Sequence, residues 1–208
     1  METWLERWRE GRIGWHEDEG NASLKQHWRA SGRSVLVPLC GKSVDLVWLA
    51  AQGNRVVGVE VSQIAVEAFF AEQQLEHTVI DGSLRRYDAV GVDITIYCGD
   101  FMALNDVQFD AHYDRGALVA LHADLRPGYA AHVRSLLSDD AEQLVITLGY
   151  DQSVADGPPF CISDEELLGY WPGLECVDHY DDTANAPPKF LEAGLDEVIE
   201  KVWRSAPG

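Results

Sequence analysis

The stretch "VLVPLCGKSVDLVWLAAQGNRVVGVEVS", residues 35–62, decides the fold of this 208-residue chain. An apolar run at residues 35–37 is followed by a turn that contains Pro38 and Gly41. The pattern at residues 44–52 is helical and stops before Gly53, a usual signal for the end of a helix. A second apolar run then ends at Glu60. Strand, glycine turn, helix and strand in this order predict a nucleotide-binding unit of a parallel sheet.

The glycine turn discriminates between three kinds of nucleotide. Gly41-Lys42-Ser43 imitates the end of an ATP-binding phosphate loop, but that loop needs a glycine at position 36, where this chain has leucine. A dinucleotide fingerprint needs three glycines, and only Gly41 lies between this strand and its helix. S-adenosylmethionine carries no phosphate, so one glycine is sufficient, and the turn favours this cofactor.

Glu60 supports the same interpretation. It lies 19 residues after Gly41, close to the ~20 residues that usually precede a ribose-binding acid. A carboxylate at the carboxyl end of a strand can accept paired hydrogen bonds from the two ribose hydroxyls. The alternative interpretation of Glu60 is a solvated strand end.

The rest of the chain alternates between strand and helix patterns, which predicts a mostly parallel sheet covered on both faces. Length and pattern together predict one domain over residues 1–208. Further strands are expected at residues 94–98, 111–113, 143–148, 174–179 and 198–203. Helices are expected at residues 3–10, 21–28, 62–74 and 127–137, and another begins after a Ser163 cap.

Composition excludes several classes of function. The formal net charge of −19 would repel a phosphate backbone or an anionic membrane, so neither nucleic acid nor a membrane is an expected partner. No apolar run approaches the ~18 residues of a membrane span. The four cysteines form no CxxC pair, which predicts free thiols and a cytoplasmic protein. No His/Cys cluster has zinc spacing, so no metal is expected.

Several longer stretches carry a resemblance to a known family. They are "WLERWREGRIGWHEDEGN", "VPLCGKSVDLVWLAAQGNRVVGVEVS", "FFAEQ", "YDRGALVAL", "LRPGYA" and "GPPF". Together they resemble the thiopurine S-methyltransferase family, especially its bacterial members, from Trp4 to Trp203. The resemblance implies a Rossmann-like class I fold that depends on S-adenosylmethionine. Its sheet would be mostly parallel and seven-stranded, with helices on both faces and an antiparallel last strand.

The resemblance also implies a role for each matched position. Residues 1–30 would form a helical lid over the cofactor. Cofactor contacts would come from Trp4, Trp8, Leu39, Gly41, Glu60, Asp100, Phe101 and Arg115, with Glu60 on the ribose and Asp100 and Phe101 on the adenine. Acceptor contacts would come from Trp15, Arg115, Pro159 and Phe160.

Four further positions bear on the acceptor and on catalysis. Trp15 stands where phenylalanine is usual in the family, and His122 replaces a usual proline, so both bear on the choice of acceptor. His16 is expected to be a hydrogen-bonded structural residue rather than a general base. Lys42 is expected to be solvated or locally paired rather than catalytic.

The predicted reaction is methyl transfer from S-adenosylmethionine to the sulfur of an aromatic or heterocyclic thiol such as a thiopurine. Arg115 is the predicted catalytic residue, which would orient an anionic acceptor. Bacterial relatives also suggest methylation of selenium or tellurium compounds in detoxification, by a monomeric enzyme. Two alternatives are a domain that binds S-adenosylmethionine without turnover, as a sensor or partner protein, and an NAD-dependent reductase.

Overall fold

The computed structural model describes residues 2–14 and 16–205, with side chains from residue 4 onward. Trp15 lies outside the described residues, so the acceptor contact predicted there stays a prediction. No helix among the described residues has the length and apolar character that a membrane span requires.

Nine strands and seven α-helices follow one another along the described chain. The strands are β1 (Ser34–Pro38), β2 (Arg55–Glu60), β3 (His77–Ile80), β4 (Arg85–Ala89), β5 (Ile94–Cys98), β6 (Phe109–Arg115), β7 (Leu137–Gly149), β8 (Leu174–Asp181) and β9 (Ile199–Ser205). The helices are α1 (Glu2–Arg9), α2 (Ala22–His27), α3 (Asp45–Ala51), α4 (Gln63–Glu72), α5 (Arg126–Leu136), α6 (Asp164–Tyr170) and α7 (Pro188–Glu192). Short 3-10 turns occur at Phe101–Ala103, Leu118–Ala120 and Thr183–Asn185.

All nine strands form one sheet in the order β3-β4-β5-β2-β1-β6-β7-β9-β8. The five strands from β5 to β7 in this order are parallel. The last strand, β9, is antiparallel to both β7 and β8. The predicted class of fold is therefore confirmed, including the antiparallel last strand.

The predicted number of seven strands is wrong, because the hairpin β3–β4 adds two strands to the β5 edge. Sequence patterns did not indicate this hairpin. Every residue of β3 is exposed, and β4 reads Arg-Arg-Tyr-Asp-Ala, so the alternation of apolar and polar residues that marks a half-buried strand is absent.

The sheet separates two apolar cores. Alternate residues of β1 point to opposite faces: Val35 and Val37 pack with α3 and α4, whereas Leu36 packs with α5 and α6. Two of the predicted helix caps are confirmed, since Ser62 accepts a hydrogen bond from the Ala65 N–H and Ser163 accepts one from the Glu166 N–H. With helices on both faces, the carboxyl ends of the parallel strands remain available for a ligand.

Candidate active site

The turn after β1 has the tight geometry that its glycine predicts. Leu39 and Gly41 both have positive φ angles, of 49° and 56°. A Cβ atom at Gly41 would lie 3.2 Å from the indole carbon Cζ2 of Trp8. Glycine is therefore needed here both for the backbone angle and for the close approach of the tryptophan ring. The structure thus brings three predicted cofactor residues, Trp8, Leu39 and Gly41, into one place.

Glu60 joins this turn to the end of the neighbouring strand, β2. Its Oε2 accepts a hydrogen bond of 2.9 Å from the Gly41 N–H, and its Oε1 accepts one of 2.7 Å from the Ser62 N–H. The side chain is 6% exposed, so the interpretation of Glu60 as a solvated strand end is wrong. Burial raises the pKa of the Glu60 carboxyl, and the backbone N–H groups partly oppose that rise.

The same contacts determine which nucleotide the turn can accept. In a phosphate loop, backbone N–H groups point at the phosphate. Here the Gly41 N–H is bonded to a carboxylate, which would also repel a phosphate. Each carboxylate oxygen of Glu60 can still accept a second hydrogen bond, as from a ribose hydroxyl. The geometry is therefore suited to a nucleoside without phosphate, such as that of S-adenosylmethionine.

The end of β5 lies beside Glu60, since Cys98 pairs with Glu60 in the sheet. Asp100 is exposed and accepts a hydrogen bond of 3.0 Å from the Met102 N–H. Phe101 is 6% exposed, and its ring contacts Tyr129 and His132, with centroid distances of 5.4 Å and 4.9 Å. The Phe101 side chain is thus mainly a core residue, and of the two predicted adenine contacts only Asp100 presents an open side chain.

The N-terminal helix α1 presents its two predicted tryptophans differently. Trp8 is 8% exposed and packs against the Gly41 turn. Trp4 is half-buried, and the guanidinium carbon of Arg7 lies 5.0 Å from the centre of its ring. Of the two, Trp8 is the one that the structure places on the first turn.

Arg115 is the last residue of β6, which lies between β1 and β7. Its guanidinium donates a hydrogen bond to the carboxylate of Glu17, in the loop between α1 and α2. Burial lowers the pKa of Arg115, but the electrostatic effects of Glu17, Tyr113, Asp45 and Glu200 outweigh burial and raise it. Arg115 therefore stays charged at the carboxyl edge, close to the first turn.

The predicted acceptor loop is attached to the segment that follows Arg115. The Phe160 N–H donates a hydrogen bond of 2.6 Å to the carbonyl of Val119, and the Tyr150 hydroxyl donates one of 2.7 Å to the carbonyl of Pro159. The Phe160 ring is buried and lies 4.7 Å from the His122 ring. His122, which departs from the family pattern, is thus in contact with the predicted acceptor loop.

Two buried aspartates position these elements, and sequence reasoning did not identify them. Asp45 accepts hydrogen bonds from the Asn21 N–H and the Tyr113 hydroxyl, so it connects the N-terminal segment to β6. Asp114 accepts bonds from the Tyr129 hydroxyl and from two backbone N–H groups, and burial raises its pKa to about 6. Both stand in stretches that carry the family resemblance, but no local pattern predicts these hydrogen bonds, because the partners are distant in sequence or lie in an irregular turn.

The remaining charged candidates have ordinary partners. Lys42 bonds to both oxygens of Glu72, at 2.6 Å and 2.8 Å, which confirms the prediction of a locally paired lysine. His16 Nε2 lies 3.3 Å from Asp18, and burial lowers its pKa. Within residues 2–14 and 16–205 the structure contains no cluster of His, Cys, Asp and Glu that could hold a metal ion.

A groove of about 300 Å³ lies elsewhere on the sheet. It is bordered by the starts of β2, β5 and β6, with Arg55, Ile94 and Phe109 among its lining residues. None of the predicted cofactor or acceptor residues lines it. The groove is therefore separate from the candidate site at the carboxyl ends of the strands.

Comparison with known proteins gives consistent matches over the whole chain. The family model "Thiopurine S-methyltransferase (TPMT)" matches residues 1–206. A thiopurine S-methyltransferase of Bordetella petrii is 46% identical, covering 98% of this chain and 96% of the relative. One from Pseudomonas putida is 43% identical, covering 97% of this chain and 96% of the relative.

Solved structures that are similar to this chain share its fold. A 1,6-didemethyltoxoflavin-N1-methyltransferase of Burkholderia thailandensis, with bound 1,6-didemethyltoxoflavin and S-adenosylhomocysteine, has a TM-score of 0.63 at 19% identity. That match covers 99% of this chain and 86% of the other. A TehB-like SAM-dependent methyltransferase of Corynebacterium glutamicum has a TM-score of 0.56 at 16% identity, covering 99% of this chain and 97% of the other.

These matches decide between the alternatives that the sequence left open. They support an enzyme that uses S-adenosylmethionine as its cofactor, rather than a reductase or a binding domain without turnover. The turn agrees with this choice, because its glycine N–H is bonded to Glu60 and is not presented to a phosphate. The family model and the relatives, at above 40% identity along nearly the whole chain, show that this protein belongs to the thiopurine S-methyltransferase family.

Proposed function

We propose that this enzyme transfers the methyl group of S-adenosylmethionine to the sulfur of small aromatic or heterocyclic thiols, thiopurines among them. The observation that carries the proposal is the position of Arg115. This cation lies at the carboxyl edge of the sheet, on the strand next to β1, whose following turn is bonded to Glu60. The segment after Arg115 supports the Phe160 loop through a backbone hydrogen bond. A cationic group between a cofactor turn and an aromatic loop suits an aromatic anion.

On the cofactor side, Glu60 would hold the ribose and Asp100 would lie beside the adenine. The turn with Leu39 and Gly41 would face the amino-acid part of the cofactor, with Trp8 covering it. S-adenosylmethionine supplies a methyl group that its sulfonium already activates. An aromatic ring also attracts a sulfonium cation, by ~0.5–2 kcal/mol.

On the acceptor side, the enzyme needs to align the thiol with the methyl group more than it needs to activate the thiol. Aromatic thiols ionise readily, so a general base contributes little, and His16, whose pKa is lowered, is not required as one. Alignment of acceptor and methyl group can contribute on the order of 7–11 kcal/mol to lowering the barrier. Arg115 would orient the thiolate, and the loop with Pro159 and Phe160 would border its ring and exclude water.

A matched set of acceptors tests this proposal. Thiophenol, phenol and aniline differ in the attacking atom and share the ring. The expected result is rapid methylation of thiophenol and little methylation of phenol or aniline, measured as S-adenosylhomocysteine formed and methylated product. Methylation of aniline in preference to thiophenol would contradict a sulfur acceptor.

We extend the proposal to the setting of the reaction. Reduced selenium and tellurium compounds are soft nucleophiles like thiolates, so the same site would methylate them in a detoxifying reaction. The four cysteines are free thiols, which supports a cytoplasmic location. We expect a monomeric single domain, residues 1–208, with residues 1–30 as its lid. Sedimentation of the purified protein tests the monomer, and volatile dimethyl selenide from selenide tests the chalcogen reaction.

A further inference from the structure

The ion pair between Glu17 and Arg115 connects the N-terminal segment to the carboxyl edge of the sheet. The two residues are 98 positions apart, and their side chains are 36% and 25% exposed. The pair is therefore neither buried in the core nor fully solvated. A small molecule that reaches the Arg115 guanidinium has to approach it beside the Glu17 carboxylate.

Two buried acidic residues lie near Arg115 in addition to Glu17. Asp45 and Glu200 are 2% and 5% exposed, and both act on the Arg115 guanidinium through their charge. Their hydrogen bonds go to other groups: Asp45 bonds to Tyr113, and Glu200 accepts from Tyr180. Glu17, by contrast, bonds to the guanidinium directly.

This arrangement affects acceptors differently according to their charge. An acceptor with one ionisable thiol can lose its proton as it binds and bring a single negative charge. An acceptor that also carries a carboxylate brings a second charge, which competes with Glu17 for Arg115. Displacing Glu17 would leave two or more carboxylates close together, and like charges brought together oppose binding.

We propose that Glu17 is a specificity-determining residue, which selects acceptors that carry no anionic group besides the reacting sulfur. This inference rests on the proposed function, because it requires the acceptor to bind beside Arg115. The net charge of −19 acts in the same direction, by disfavouring the approach of multiply charged anions.

The substitution Glu17→Gln tests the proposal, since glutamine keeps the shape and loses the charge. Asp18→Asn is the matched control, because Asp18 is the adjacent carboxylate, its side chain is 95% exposed and it pairs with His16 rather than Arg115. The probes are thiophenol and 4-mercaptobenzoate, which differ by one carboxylate. Their dissociation constants are measured by calorimetry on the complex with S-adenosylhomocysteine, and their turnover is measured separately with S-adenosylmethionine.

The expected result is that Glu17→Gln improves 4-mercaptobenzoate binding relative to thiophenol by about tenfold, or ~1.4 kcal/mol. Asp18→Asn should change this ratio by less than twofold. An unchanged ratio in Glu17→Gln, or the same change in both variants, would overturn the assignment. Absence of turnover with either thiol in the wild-type enzyme would instead contradict the proposed function, while the binding ratio still reports on Glu17.

Discussion

Replacing Glu60 by alanine separates its role toward the cofactor from its role in the turn. A hydrogen bond to a charged group contributes ~1.5–3 kcal/mol, so loss of the ribose contact should weaken the binding of S-adenosylhomocysteine by roughly 10- to 150-fold. The structure adds a second effect. The Gly41 and Ser62 N–H groups would both lose their acceptor, at ~1–3 kcal/mol for each buried donor left unpaired.

The Glu60→Ala variant should therefore remain folded but have a lower free energy of unfolding, since domains of this kind have ~5–15 kcal/mol of stability. The companion substitution Glu60→Gln keeps one acceptor oxygen and should cost less stability than alanine. Glu67→Ala, on the exposed face of α4, is a control for removing a nearby carboxylate. Calorimetry gives the affinity and urea unfolding gives the stability. Unchanged affinity in both Glu60 variants would remove this residue from the cofactor site.

Three further perturbations follow from the same geometry. Arg115→Lys should lower the catalytic efficiency for thiophenol more than the affinity for S-adenosylhomocysteine, because an ammonium cannot copy the planar guanidinium; equal losses would make Arg115 a cofactor or structural residue. Deletion of residues 1–15 should abolish turnover and leave the sheet folded, as judged by circular dichroism, since β1 begins only at Ser34; normal turnover would contradict the lid. Burial lowers the pKa of His112 from 6.5 to about 4, so its contribution to the free energy of unfolding is fully present above pH 6.5. This contribution, up to ~3 kcal/mol, is lost as the pH falls toward 4. Asp114, whose pKa burial raises to about 6, changes the stability in the opposite direction over this pH range. The effect of His112 is therefore isolated by comparing urea unfolding of His112→Leu with that of the wild type from pH 4 to 7. Identical pH slopes in the two proteins would contradict the His112 assignment.

The parts of the fold that the sequence predicted are those with strong local signals. The first strand, the glycine turn and the second strand follow from apolar runs and one glycine, and the Ser62 and Ser163 caps follow from hydrogen bonds within a single turn of helix. The hairpin β3–β4 gave no such signal, because an exposed edge hairpin has no need of apolar alternation.

Contacts between residues that are far apart in the chain could not be predicted for another reason: the sequence does not show which residues are partners. Glu17 stands in the acidic run His16-Glu17-Asp18-Glu19, where no residue is marked as the partner of an arginine 98 positions later. Phe101 shows the opposite limit, since the resemblance predicts a cofactor contact at this position, whereas its ring packs in the core. A motif places the backbone at a site, whereas tertiary packing decides where each side chain points.

In the proposed reaction the methyl group moves from S-adenosylmethionine to a thiol sulfur. The most direct measurement uses S-adenosylmethionine labelled with ¹³C in its methyl group, thiophenol as the acceptor and NMR to follow the label. The expected result is one equivalent of labelled thioanisole for each equivalent of S-adenosylhomocysteine formed. Label on a ring carbon of the acceptor, or S-adenosylhomocysteine formed without labelled thioanisole, would contradict it.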